Sequence, residues 1–174
     1  MEETISSTLL HKGKNFSFYN DKVRLPNGRE TERNTVKHPG AVAILAIQDD
    51  QLILVKQYRY ATGKYLLEIP AGTLEEGEDP YNCAVRELQE ETGYAANAWS
   101  KLFQCYNAPG YSNEILYFYL AEGLTKYNAS PEDDEDIEVQ RYGFNDVLDM
   151  IDSNEIEDAK TIVGVLRYLT RVDS

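Results

Sequence analysis

The chain has 174 residues, with 17 Lys and Arg against 30 Asp and Glu, for a formal net charge of −13. That length suits one domain with a small appendage, and a content of 42% hydrophobic and 11% aromatic residues excludes a disordered acidic tail, because it can supply a core. The excess of acid disfavours nonspecific contact with nucleic acid or anionic membrane, both of which call for Lys and Arg.

Taken in order, residues 15–19, 22–25 and 31–36 are short polar segments rich in β-prone side chains, separated by turn signals at Asn20-Asp21 and Pro26-Asn27-Gly28. They predict a small antiparallel β-sheet over residues 1–38. It holds too little apolar content to stand alone and must lean on the main domain or on a second subunit. The main domain, residues 39–174, is richer in core residues. Residues 41–47 and 52–55 are aliphatic runs around an acidic turn at 48–51 and read as a hairpin. Residues 66–69 form a strand ended by Pro70. Asp79 before Pro80 is a helix start, an N-cap acceptor with proline at the first helical position, and Gly93 is the matching stop, so the spacing predicts a helix over 80–92. Strands follow at 99–106, 114–121 and 137–144, then helices at about 145–151 and 158–170. Mixed strands with few helices give an α+β or α/β sandwich.

Cys83 and Cys105 cannot build a disulfide framework and sit in no metal-binding spacing, so they read as small buried hydrophobes in a reducing compartment. No apolar run reaches the roughly 18 to 20 residues of a membrane span, and residues 1–20 show no basic flank before an apolar stretch. The expectation is a cytoplasmic protein.

The acid is concentrated in two places. Glu75, Glu76, Glu78, Asp79, Glu87, Glu90 and Glu91 face only Arg86 within residues 72–94. Residues 131–138 carry Glu132, Asp133, Asp134, Glu135, Asp136 and Glu138 with no base. The remainder of the chain is close to neutral. Along the helix each residue advances about 100°, so Tyr81, Ala84, Val85 and Leu88 share a face expected to pack on the sheet. Glu87 and Glu91 stand about 40° apart in projection and Glu90 roughly 60° beyond Glu87. Like charges within one turn repel unless solvent or a cation relieves them. An all-oxygen set suits Mg²⁺ or Mn²⁺, with water and substrate phosphate completing an octahedron.

A charged run on a helix is ordinarily a solvated face, but the surrounding pattern is specific. Gly72 is followed at six positions by Glu78, at eight more by Arg86, and then directly by Glu87, Leu88, Glu90, Glu91, Gly93 and Tyr94. This resembles the Nudix box, G-x5-E-x7-R-E-U-x-E-E-x-G-U with U a bulky apolar residue, and departs from it only at Tyr94, where an aliphatic residue is usual. The resemblance implies a Nudix α/β/α sandwich with a mixed central sheet, in which a loop-helix-loop holds divalent metal against a diphosphate attacked by water. By position it makes Glu87 and Glu91 metal ligands, Glu90 a ligand or an outer base, and the backbone carbonyl of Ala71 a further ligand. Arg86 and Glu78 become the ion pair that fixes helix to loop.

Pro109, fifteen residues after Tyr94, opens a P-G-x-S-x-E stretch through Gly110, Ser112 and Glu114 that is similar to the ADP-ribose pyrophosphatase group. Residues 36–45, 55–59, 68–72 and 154–162 resemble that group too, so the likeness covers nearly the whole chain. It implies that Arg59 and Arg33 contact the diphosphate, a match for their forked donors, with Arg33 serving the neighbouring subunit of a homodimer. Phe16 or Phe18 would stack the nucleobase, Glu114 would reach the distal ribose, and Glu135 would deprotonate the attacking water, with Glu132 and Asp134 as rivals. The reaction implied is Mg²⁺-dependent hydrolysis of ADP-ribose to AMP and ribose 5-phosphate. Two rivals remain: hydrolysis of a UDP-sugar or GDP-mannose, and a non-catalytic Nudix sensor of nucleotide sugars.

Overall fold

The structure is a computed structural model that describes residues 1–127 and 136–172. Its elements are β1 (Glu3–Lys12), β2 (Ser17–Arg24), β3 (Glu30–Lys37), β4 (Ala41–Gln48), β5 (Gln51–Arg59), β6 (Lys64–Glu68), β7 (Ala71–Thr73), α1 (Pro80–Thr92), β8 (Tyr94–Tyr106), β9 (Ile115–Lys126), β10 (Ile137–Gly143), α2 (Phe144–Asp152) and α3 (Ala159–Val172). They belong to two compact units, Met1–Gly40 with Cys105–Leu116, and Ala41–Gln104 with Tyr117–Ser174. Among the described residues no helix is long and apolar enough to cross a membrane.

The first unit is built on an antiparallel sheet in the order β1-β2-β3. Strand β2 runs straight through Asn20-Asp21, where the sequence predicts a turn. The reason lies in the side chains. Asp21 is buried and accepts hydrogen bonds from Ser7 Oγ at 2.5 Å and Thr35 Oγ1 at 2.9 Å, while Asn20 donates to Glu32 at 3.2 Å and Asn34 at 3.0 Å. Both residues bond across the sheet rather than to their own backbone, which removes the turn they would otherwise favour. The hydroxyls hold the Asp21 carboxyl below the usual carboxylate range. The other predicted turn forms: Gly28, at φ 81°, donates to the Leu25 carbonyl at 2.9 Å. Strand β1 has no counterpart in the sequence expectation, since all ten of its residues are exposed and no alternation marks it.

In the second unit the sheet order is β10-β5-β4-β9-β8, with β6 paired to β5 and β7 to β4. Asp49 and Asp50 both take left-handed backbone, at φ 52° and 59°. They close the β4–β5 hairpin in the primed turn that suits strand twist. Strand β4 is buried on both faces. Val42, Ile44 and Ala46 share a core with Cys83, Ala84 and Leu88 of α1. On the other face α3 meets the sheet at Gly164, where an added Cβ would stand 3.2 Å from side-chain atoms of Leu45, Ile69 and Phe118. Glycine at that position lets the helix backbone approach the strands. Helix, sheet and helix thus form the α/β/α sandwich with a mixed central sheet that the sequence implies.

Helix α1 has the predicted bounds. Asp79 accepts from the N–H groups of Tyr81 and Asn82, Pro80 opens the first turn, and Gly93, at φ 68°, returns its N–H to the Gln89 carbonyl. Its buried stripe is rotated from the expected one. Cys83, Ala84, Leu88, Glu91 and Thr92 are buried, whereas Tyr81 is exposed and meets Trp99 and Tyr119 edge-on at 5.8 and 6.3 Å. The stripe shifts because the helix presses its glutamates, as well as its apolar residues, toward strand β7. Tyr94, the position where the Nudix pattern has an aliphatic residue, is buried with the Arg141 guanidinium 5.2 Å from its ring centroid and its hydroxyl bonded to Arg141. A cation over the ring face, with a partner for the hydroxyl, explains why an aromatic residue fits there.

Candidate active site

Two helix caps fix α1, and the loop before it brings the backbone of Ala71 and Gly72 under its middle turns. Glu91 is 5% exposed and accepts a hydrogen bond from the Ala71 N–H at 3.0 Å. Glu87 lies over Gly72, where an added Cβ would fall 1.8 Å from its carboxyl carbon. Any side chain at residue 72 would displace that carboxylate.

Arg86 organises the remaining acids. Its Nε and Nη2 donate to the two oxygens of Glu78 at 3.0 Å each, and its Nη1 donates to Glu87 at 2.8 Å and Glu90 at 2.9 Å. The ion pair between Arg86 and Glu78 therefore ties the helix to the loop, and Glu78 also accepts from the Glu75 N–H at 2.9 Å. Hydrogen bonding to Glu78 and the charge of Glu87 raise the Arg86 pKa further above its ordinary value, while Arg86 holds the Glu78 carboxyl below the carboxylate range. Cys83, buried behind this cluster, has its thiol pushed well up, first by burial and then by the charges of Glu87 and Glu78. Cys105 is only half-buried, against the expectation of a core residue.

Among the described residues no three His, Cys, Asp or Glu side chains close into a cage for a metal ion. The donors available are the Ala71 carbonyl and the carboxylates of Glu87, Glu90 and Glu91, all of them oxygen. That set fits a hard divalent cation that keeps much of its water and takes substrate phosphate as a ligand. It does not fit a soft metal, which would call for thiolate or imidazole.

A second charged group in the same unit went unnoticed in the sequence. Glu68, at the end of β6, is 1% exposed and binds both Arg59 and Lys160. Burial alone would raise its pKa, but hydrogen bonds from Arg59 and the charges of Lys160 and Arg59 outweigh burial and hold it low. Its signals in the sequence are a lone acid inside the apolar run of residues 66–69 and its place in the stretch 68–72 that resembles the ADP-ribose pyrophosphatase group, neither of which gives it a role.

The other candidates lie in the first unit. Arg33 pairs with Glu2, Nη2 to Oε1 at 2.7 Å and Nε to Oε2 at 3.2 Å. Phe16 is exposed and Phe18 half-buried. Pro109 and Gly110 are exposed in the turn closed by the Ser112 N–H on the Ala108 carbonyl at 2.8 Å. Ser112 Oγ accepts from the Glu114 N–H at 3.1 Å, and Glu114 accepts from Asn107 Nδ2 at 2.9 Å. Glu135, with Glu132 and Asp134, lies outside the described residues.

Glu68 and Glu78 titrate in the folded protein below their unfolded value of about 4.3. The unfolded chain therefore binds more protons as pH falls, and the stability these acids contribute is present above that value and lost as pH drops through their folded pKa. Urea unfolding between pH 7 and pH 3 should show falling stability on the acid side, with a shallower slope in Glu68→Gln. An unchanged slope would remove Glu68 from the account.

Comparison with known proteins agrees with this geometry. The NUDIX domain model matches residues 37–163. The chain is 43% identical over 171 residues to an ADP-ribose pyrophosphatase of Bacillus subtilis, covering 97% of this chain and 92% of that one. It is 39% identical, with the same coverage of each, to a methanol dehydrogenase activator of Bacillus methanolicus. The solved structure of an ADP compounds hydrolase superimposes with a TM-score of 0.87 at 22% identity, covering 99% of this chain and 94% of that one, a likeness of fold. With the box residues assembled around Arg86 and most of its length matched by the domain model, the chain belongs to the Nudix hydrolase family.

Proposed function

We propose that this enzyme hydrolyses the diphosphate linkage of ADP-ribose, giving AMP and ribose 5-phosphate, with Mg²⁺ or Mn²⁺ as the divalent ion. One observation carries the reading: the intact set Glu78, Arg86, Glu87, Glu90 and Glu91, assembled on one loop and helix in a chain that is 43% identical to an ADP-ribose pyrophosphatase. The cation would be held by Glu87, Glu90, Glu91 and the Ala71 carbonyl. When bound, it supplies charge neutralisation at phosphate oxygens and a more acidic water.

The protein's own groups do the rest. Arg59 engages the diphosphate. The water oxygen bonds to one phosphorus as the bridging P–O bond breaks, Glu135 takes the water's proton, and the bridging oxygen departs with the second product. Arg86 and Glu78 hold the helix in register. Phe16 or Phe18 would stack the adenine, Arg33 from a neighbouring subunit would join Arg59 on the diphosphate, and the turn at Pro109, Gly110 and Ser112, with Glu114, would meet the distal ribose. A homodimer is part of this reading, and the exposed Ile5, Leu9, Leu10 and Phe16 on the three-stranded unit suit burial by a second copy. A cytoplasmic site of action is also part of it, and two free thiols suit a reducing compartment.

Kinetics with Mg²⁺ on ADP-ribose, UDP-glucose and GDP-mannose should favour ADP-ribose. A preference of about tenfold for another substrate would overturn the assignment. Glu91→Gln should cut turnover by at least about tenfold with the fold retained, and unchanged turnover would refute the ligand assignment. Gly72→Ala, which forces Glu87 aside, should lower kcat by about a hundredfold while moving the thermal midpoint little. Normal kcat would show that Glu87 need not lie over residue 72.

A further inference from the structure

Glu68 is the most deeply buried acid among the described residues, and nothing in the reaction above uses it. Arg59, at the end of β5, grips it side-on, Nε to Oε1 at 2.7 Å and Nη2 to Oε2 at 2.6 Å. That grip uses one edge of the guanidinium. Nη1 and the second N–H of Nη2 form the other edge, and the Arg59 side chain is 38% exposed. A guanidinium is rigid and planar, so fixing one edge fixes the direction of the other.

Lys160, in the first turn of α3, bonds the same Oε2 of Glu68 and stands 3.1 Å from Asp158. Asp158 is anchored in turn by the N–H and hydroxyl of Thr161, at 2.9 and 2.6 Å. Thr161 Oγ1 also accepts from the Ile69 N–H at 2.8 Å, which pins the residue after Glu68. The carboxylate is therefore held from behind by α3 and presents a fixed face to Arg59. Two cations balance two acids, so the group can be buried without an uncompensated charge.

We propose that Glu68 and Lys160 are positioning residues that aim the open edge of Arg59 at the substrate diphosphate. This rests on the reading of Arg59 as a diphosphate contact. Glu68 sets the plane of the guanidinium. Lys160 fixes Glu68 and keeps it ionised without competing for the edge that meets phosphate.

The test is a double-mutant cycle on KM and kcat for ADP-ribose, with the thermal midpoint of each variant recorded. Glu68→Gln should raise KM by about tenfold, the effect of a lost charge-assisted hydrogen bond, with a much smaller change in kcat. Lys160→Met should raise KM less, and Lys160→Arg should restore it. In an Arg59→Met background neither Glu68→Gln nor Lys160→Met should raise KM further, because both act through Arg59. Additive effects in that background, or an unchanged KM in Glu68→Gln and Lys160→Met alone, would overturn the proposal. If Arg59→Met itself leaves KM unchanged, the diphosphate role of Arg59 fails, and that outcome is distinct. Should Glu68→Gln fail to fold, the Lys160 variants, changed at the outer end of the group, decide the matter alone.

Discussion

Two carboxylates of the helix and a third from the preceding loop converge on the Arg86 guanidinium, and the local structure depends on that convergence. Without a cation, Glu87, Glu90 and Glu91 would repel one another within little more than a turn of helix. Arg86 joins Glu78, Glu87 and Glu90 through one planar group, so the helix, the loop and the acids are tied together at one residue. Glu91 is secured separately, by the Ala71 amide. The arrangement leaves carboxylate oxygens gathered beside a backbone segment that has no side chain at Gly72.

The sandwich serves this cluster. Strand β4 is apolar on both faces, so α1 can be pressed on one side and α3 on the other. Each helix then delivers charge to the same stretch of chain. Helix α1 brings Glu87 and Glu91 to residues 71 and 72, and α3 brings Lys160 and Thr161 to Glu68 and Ile69. Within residues 68–72, α3 thus meets 68 and 69 while α1 meets 71 and 72.

Where local signals and global packing agree, the sequence is a good guide. Helix α1 has its predicted bounds because Asp79, Pro80 and Gly93 act within a few residues of where they stand. The β4–β5 hairpin is equally local. The misses are long-range. Asn20-Asp21 would turn on its own, but partners in β1 and β3 draw both side chains across the sheet. Strand β7, three residues of mostly small side chains, exists only because β4 pairs with it. The buried face of α1 departs from the apolar periodicity at Tyr81 because Glu91 is buried along with the apolar side chains. Of the site, the box residues were legible from their spacing. Glu68 and Lys160 were not, being 92 residues apart and joined only by the fold.

Cys83 draws a consequence from the same cluster. Reaction with peroxide, with alkylating reagents or with a second thiol proceeds through the thiolate. Burial and the neighbouring carboxylates keep the Cys83 sulfur protonated. A thiol carried on the helix that bears the site acids would be open to oxidation if it ionised. Here the carboxylates gathered for a divalent ion also weigh against the thiolate, so the charge of the site and the burial of the sulfur act in the same direction.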